Sequence, residues 1–252
     1  MRKPRRLSRE ELAPVVWELP RPQESGVRSR ESGLSNQDKI NVGALLTPDA
    51  RPLTPVSWPQ FFGNPNPVEI EVGMGKGLFL LTSALARPDT NFLGVEIVRK
   101  YQLYAASRYA VRKLSNVKTV CADALVVLRD HVATGSVAAV HVYFPDPWWK
   151  TRHRKRRVFS PAFAAEAARV LTLSGVLHIA TDVEEYFGVM TGIVRAMPAF
   201  RELPVTAGQG YQTNFERKAQ LKGTAVWRTA FERTTAEVTI AADPSEAGGQ
   251  PA

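Results

Sequence analysis

Four carboxylates stand at positions where they could handle a charged ligand. Glu71 lies two residues before a glycine run, Glu71-Val-Gly73-Met-Gly75-Lys-Gly77. Glu96 closes NFLGVEI, 19 residues beyond Gly77, and Asp123 follows VKTVCA. Asp146 is held between two prolines in Phe144-Pro-Asp146-Pro-Trp148-Trp149. A glycine-rich turn lets a ligand approach the backbone closely, because no Cβ stands in the way. This run is not a P-loop, since G-x-x-x-x-G-K-[ST] is absent, and it is not G-x-G-x-x-G, since its third glycine comes one residue early. Taken alone it is equally a tight strand-to-helix turn.

An acid at Glu96 can accept both hydroxyls of a bound ribose. A short acid at Asp123 can reach an adenine edge, cap a helix starting at Ala124, or do both. NAD and S-adenosylmethionine share that ribose logic. A sulfonium and an ammonium are cations, so a pocket lined with Glu71, Glu96, Asp123 and Asp146 suits S-adenosylmethionine, whereas the same acids repel a pyrophosphate. The G-x-G-x-G spacing leans the same way.

The prolines beside Asp146 fix their own φ and bias each preceding residue to an extended form, so this carboxylate is presented on a stiff segment. Trp148 and Trp149 could stack on a base or pack beneath the loop. From Lys150 to Arg157 six of eight residues are Lys or Arg. Such a run is commonly a solvated face, but here it abuts the acid-lined edge, and phosphate binding is the reading that uses its position.

The elements that must position these groups are legible as alternating strand and helix signals. Strand candidates are VEIEV (68–72), NFLGVEI (91–97), VKTVCA (117–122), VAAVHVYF (137–144) and GVLHIAT (175–181). They are nearly continuous apolar runs, the pattern of strands covered on both faces of a parallel sheet. Between them lie helical stripes: Leu78, Leu81 and Leu85; Leu103, Ala106, Ala110 and Leu114; a segment opening on Ser160-Pro161; and Tyr186, Val189, Met190, Ile193 and Met197. Five βα units predict a doubly wound α/β sheet, whose ligands bind beyond the carboxyl ends of the strands. Asp182 ends the fifth strand at the same edge. Thr213 and Glu216 stand at capping-box spacing, and AVWRTAFE reads as a closing strand. Residues 1–53 read as a basic, largely irregular arm in which ELAPVVWEL forms a brief helix or strand. The principal domain is expected over 54–240, with a disordered tail over 241–252.

Composition narrows the class. A net charge of +9 favours a polyanionic partner. The single cysteine, Cys121, excludes an intramolecular disulfide and fits a reducing, cytoplasmic setting. No apolar run approaches the ~20 residues of a membrane span. The four histidines show no metal-ligand spacing, so no metal is expected, and His141 and His178 read as structural groups inside buried strands.

Several of these stretches together resemble the bacterial tRNA (guanine-N7-)-methyltransferase family. They are the glycine run, Gly94-Val-Glu96, Asp123-Ala, Phe144-Pro-Asp-Pro-Trp, Lys150-x-Arg152-His153-x-Lys155-Arg156-Arg157, Ala180-Thr-Asp182, Thr213-x-Phe215-Glu216 and Trp227…Phe231-Glu232-Arg233. The resemblance covers Leu53 to Arg233. It implies a Rossmann-like class I methyltransferase fold, a mostly parallel central sheet with helices on both faces and an antiparallel strand near the C-terminus. It further implies S-adenosylmethionine as cofactor, tRNA as partner, and methyl transfer to N7 of guanine 46 in the variable loop. By it Glu71, Gly73, Gly75, Gly77, Glu96, Asp123 and Asp146 match the cofactor site, with Asp146 catalytic. Lys150, Arg152, Arg154, Lys155, Arg156, Asp182, Thr213, Asn214, Phe215 and Glu216 match substrate-binding positions. A monomer or homodimer without membrane attachment is expected. Only the N-terminal arm departs from the family's pattern, being longer and matched loosely through Arg2, Lys3, Arg5 and Arg6.

Overall fold

The computed structural model describes residues 7–19, 55–148, 152, 157–204 and 213–234. Each expected apolar run is a strand. The strands are β1 (Val16–Trp17), β2 (Val68–Val72), β3 (Asn91–Glu96), β4 (Val117–Cys121), β5 (Val137–Tyr143), β6 (Leu171–Thr181), β7 (Phe200–Leu203) and β8 (Trp227–Arg233). They form one sheet in the order β1-β4-β3-β2-β5-β6-β8-β7. Strands β1 to β6 pair in parallel, and β8 runs antiparallel to both β6 and β7. All six residues of β3 are buried, as a strand covered on both faces should be.

The helices are α1 (Arg9–Leu12), α2 (Trp58–Phe62), α3 (Leu78–Ala86), α4 (Arg99–Val111), α5 (Ala124–His131), α6 (Pro161–Val170), α7 (Glu184–Arg195) and α8 (Asn214–Lys222). Side chains of α5, α6 and α7 join Ile70, Val72, Val140 and Val142 in one apolar cluster. Those of α3 and α4 join Phe92, Val117 and Tyr143 in another. Alternate residues of the same strands thus feed both clusters, which places helices on the two faces of the sheet.

Two helix faces differ from the expected stripes. In α3 the buried residues are Phe79, Leu80, Leu81, Ser83 and Ala84, while Leu85 is 57% exposed. In α4 the expected stripe of Leu103, Ala106, Ala110 and Leu114 gives way to Gln102, Ala105, Ala106 and Tyr109. In α4 the reason is hydrogen bonding of buried polar donors, although Gln102 Oε1 is left buried without a partner. Gln102 Nε2 donates to Thr119 Oγ1 at 2.8 Å, and Tyr109 Oη donates to the Gly77 carbonyl at 2.9 Å, so polar side chains can be buried where hydropathy predicts leucines. Strand β6 also starts at Leu171, before the expected Gly175, directly from the end of α6. A register shift between Val137 and Ala139 of β5 absorbs the extra residues.

The described part of the N-terminal segment belongs to the sheet. Ser8 and Glu11 form a capping box around α1, and β1 adds to the free edge of β4. Thr119 N donates to the Val15 carbonyl at 2.8 Å, and Lys118 Nζ to the Pro14 carbonyl at 2.8 Å.

Candidate active site

Because β4, β3, β2, β5 and β6 are parallel neighbours, their carboxyl ends share one edge. Read across that edge, they deliver Asp123, Glu96, the glycine turn, Asp146 and Asp182. At 4.7–4.9 Å per strand the row spans about 19 Å. The turn follows β2, which has β3 on one side and β5 on the other, so it sits where the strand order reverses.

The glycine turn is held rigidly. Gly73 N and Met74 N donate to the Val95 carbonyl at 2.9 and 3.2 Å, and Gly77 N to the Met74 carbonyl at 2.8 Å. Helix α4 pins it from outside through Tyr109, and through Arg108 Nη1 on the Lys76 carbonyl at 3.0 Å. Gly73, Gly75 and Gly77 all have positive φ. Their roles differ. A Cβ on Gly77 would run into Tyr109 Oη and lie 2.8 Å from Ala105 Cβ, so this glycine serves packing. A Cβ on Gly73 or Gly75 would meet nothing within 4 Å, and there the backbone is open to an incoming group.

Glu96 and Glu71 lie buried behind that opening. Glu96 ties the turn to α4: Oε2 accepts from Gly75 N at 2.8 Å and Oε1 from Val98 N at 2.8 Å. Each of its oxygens keeps a second acceptor direction. Glu71 Oε2 is buried without a hydrogen-bond partner. Burial pushes the Glu71 carboxyl well above its usual range, and the nearby charge of Glu96 adds to this. A buried acid left unsatisfied beside an open glycine turn fits a cationic ligand group, such as the ammonium of S-adenosylmethionine. The acidic edge as a whole fits that cofactor and not a pyrophosphate.

Asp123 caps α5, its Oδ1 accepting from Leu125 N at 2.8 Å, and remains exposed. Asp146 and Asp182 are exposed as well. The loop carrying Asp146 is fixed by more than its prolines. Phe144 is not in the extended form expected before Pro145 but at φ 51°, held there as its N–H donates to the Ala180 carbonyl at 2.7 Å and its ring stacks on Phe215, 5.6 Å away and inclined by 17°. Arg157 folds back onto the same loop, Nε donating to the Pro147 carbonyl at 2.7 Å, with its guanidinium 4.8 Å from the Tyr186 ring centroid. Arg157 is thus separated from the rest of the basic run as a loop anchor. The only sequence signal was its place beside Val158-Phe159, where the chain re-enters the core. Arg152 is exposed. Trp149, Lys150, Arg154, Lys155 and Arg156 lie outside the described residues.

Thr213 caps α8, Oγ1 accepting from Glu216 N at 2.9 Å, and Glu216 Oε1 accepts from Arg228 Nη2 at 2.6 Å. Both residues are buried, while Phe215 is 52% exposed. Asn214 is the first residue of α8.

His141 and His178 form a separate network beneath α3. Arg87 grips Glu69 with two hydrogen bonds of 2.6 and 2.9 Å, and Glu69 Oε2 lies 2.9 Å from His141 Nε2. Burial keeps His141 below its usual range. In its neutral form Nε2–H donates to Glu69, which leaves Nδ1 to accept from Tyr143 Oη at 2.9 Å. His178 stacks on His141 at 4.8 Å and is pushed down to about 3, mainly by burial. Among the described residues no group of three or more His, Cys, Asp or Glu side chains could hold a metal ion, and no helix is long and apolar enough to cross a membrane.

Sheet order, glycine turn and strand-end acids together are those of a class I S-adenosylmethionine-dependent methyltransferase fold. Comparison with known proteins gives the particular branch. A family model described as "Putative methyltransferase" matches residues 65–229. The tRNA (guanine-N(7)-)-methyltransferase of Rhodopirellula baltica is 40% identical over 201 residues, 75% of this chain and 74% of the relative. Its namesakes in Stutzerimonas stutzeri and Bordetella pertussis are each 39% identical, over 69% and 71% of this chain and 76% and 72% of their own. The chain belongs to the tRNA (guanine-N7-)-methyltransferase family.

Proposed function

We propose that this protein transfers a methyl group from S-adenosylmethionine to N7 of guanine 46 in the variable loop of tRNA, acting in the cytoplasm as a monomer or homodimer. The observation that carries the reading is the buried, unpartnered Glu71 behind the open Gly73–Gly75 backbone, with exposed Asp146 on the neighbouring strand end. The names of the relatives supply tRNA and guanine N7, and the family resemblance supplies position 46.

The cofactor would bring an electrophilic methyl on a sulfonium. Glu71 would face its ammonium, Glu96 and Asp123 its adenosine, and Gly73 and Gly75 would admit it to the backbone. Guanine N7 carries an in-plane lone pair and no proton at neutral pH, so no base is needed before transfer. The cofactor would supply the methyl to N7 as its sulfur–methyl bond breaks, so that a neutral thioether and a cationic purine would result. The protein's task is alignment and electrostatics. Asp146 would accept from N1–H and N2–H of the guanine, orienting it and opposing its growing positive charge. An adenine offers no such donor pair, which gives discrimination of about 1–3 kcal/mol by analogy with paired base contacts. The base must leave its stack to reach the methyl. Lys150, Arg152, Arg154, Lys155 and Arg156 would hold the RNA backbone. Asp182 and the Thr213–Glu216 corner, with Phe215 outermost, would border the guanine.

The test is transfer of radiolabelled methyl to unmodified tRNA, followed by nucleoside analysis and mass mapping. Label in 7-methylguanosine at position 46 is expected. Label in another nucleoside, or none in the tRNA, would overturn the reading.

A further inference from the structure

The outer face of α4 is unusual. From Arg99 to Val111 it contains no carboxylate, and Arg112 and Lys113 follow directly. Of its basic residues, Arg99 is paired with Glu18 at 2.7 Å. Lys100, Arg108, Arg112 and Lys113 form no ion pair among the described residues. On the same face Tyr101 is 40% exposed and Tyr104 41%. Tyr104 is flanked by two cations, Lys76 Nζ 6.0 Å and Arg108 Cζ 5.9 Å from its ring centroid. Arg108 cannot drift, because Nη1 is bonded to the Lys76 carbonyl, and Arg112 Nη1 donates in turn to the Arg108 carbonyl at 3.0 Å. Nothing in the core requires an exposed tyrosine between two positive charges on a helix stripped of acids. A strip of this kind, aromatic platform plus fixed cations, is what single-stranded nucleic acid binds, its bases on the ring and its phosphates on the cations.

Position supports the same partner. Helix α4 follows β3, the 150–157 run follows β5, and the glycine turn ends the strand between them. Helix α4 therefore begins one strand away from the turn, about 5 Å in strand spacing. Charge complementarity favours a polyanion that reaches the active edge across α4.

We propose that the outer face of α4, centred on Tyr104 with Lys76, Lys100, Arg108 and Arg112, is a second RNA-binding surface that takes an unpaired nucleotide and adjoining phosphates of the tRNA substrate. The proposal rests on the function inferred above. Its test measures tRNA binding and methyl transfer in the full chain across a salt series, with S-adenosylmethionine affinity by calorimetry and thermal melting as controls. Lys100→Glu with Arg112→Glu should raise the tRNA Kd at least tenfold and lower the slope of log K against log salt by about 2, with cofactor affinity unchanged. Tyr104→Ala should weaken tRNA binding by roughly tenfold with little change in salt slope, and Tyr104→Phe should restore it. If wild type methylates tRNA but these variants keep its Kd and slope, the surface is refuted and the function stands. If wild type neither binds nor methylates tRNA, the function itself has failed.

Discussion

Replacing Glu71 by Gln tests the site at its most unusual group. The side chain is buried, one oxygen has no partner, and its carboxyl is raised well above 4.5 by burial, with Glu96 contributing. The sign follows from linkage. Below about 4.5 the acid is protonated in folded and unfolded chains alike, and it neither helps nor harms. Above that, the unfolded chain loses its proton while the folded chain keeps it, so stability falls roughly tenfold in the folding equilibrium per pH unit until the folded-state pKa is passed. Gln cannot ionise and escapes the penalty. Glu71→Gln should therefore melt like wild type near pH 4.5 and above it at pH 8. An uncompensated buried group of this kind costs about 1–3 kcal/mol, and a domain of this size gains about 2–4 °C of Tm per kcal/mol. The same variant should bind S-adenosylmethionine roughly 10- to 100-fold more weakly, because a hydrogen bond to a charged group contributes about 1.5–3 kcal/mol. Melting curves from pH 4.5 to 8 and calorimetric titration measure both effects. A Tm difference that does not widen with pH would refute the burial argument. A more stable variant with unchanged cofactor affinity would refute the pairing of Glu71 with the ammonium.

Four further outcomes follow from the geometry. Asp146→Ala should lower the rate of methyl transfer at least 100-fold while calorimetry shows cofactor binding intact; near-wild-type turnover would remove Asp146 from the reaction. Arg157→Ala should cut kcat about 10- to 100-fold with KM for the cofactor unmoved, since it loosens the loop that carries Asp146, and Arg157→Lys should recover part; a drop in tRNA affinity alone would make it an RNA contact instead. Gly77→Ala should destabilise by about 2–5 kcal/mol in denaturant melts, from a left-handed φ and the collision with Tyr109, and Tyr109→Phe in that background should restore part of the loss; a shift below about 0.5 kcal/mol would show that the turn can relax. His178 titrates near 3 folded against 6.5 unfolded, so stability is full above about 6.5 and lost as pH falls toward 3. His178→Gln should flatten that acid limb, and an unchanged limb would place the acid sensitivity elsewhere.

The sheet was legible because parallel strands buried on both faces read as continuous apolar runs, and the acids were legible because each closes such a run. Less was readable where polar groups go inside. Gln102 and Tyr109 look like surface residues until their partners, Thr119 Oγ1 and the Gly77 carbonyl, are in place, and those partners are 17 and 32 positions away. Strand β7 carries no sequence signal of its own. Phe200–Leu203 is short, half exposed, and stabilised by pairing with β8. Strand β1 is two residues long and lies within ELAPVVWEL, which the sequence marks as a brief helix or strand without choosing between them. Arg157 sits in a run of identical charges, and only the Pro147 carbonyl and the Tyr186 ring single it out.

Among the described residues the strand-end acids fall with those that form no ion pair, as do Glu10, Asp89, Glu184 and Glu185. Other acids of the fold are paired. Seven of them, Glu18, Glu69, Asp130, Glu166, Glu202, Glu216 and Glu232, each hold an arginine. Arginine suits that work, because its planar fork meets a carboxylate with two bonds. None of the strand-end acids, Glu71, Glu96, Asp123, Asp146 or Asp182, forms an ion pair among the described residues, although the chain carries an excess of nine positive charges. Lys100, Arg108, Arg112 and Lys113 of α4 likewise form no ion pair among the described residues. Of the strand-end acids, Glu71 is the one buried without a partner, and it costs stability until a cation arrives. An edge that carries these acids beside the basic face of α4 would complement a cationic methyl donor and a polyanionic acceptor.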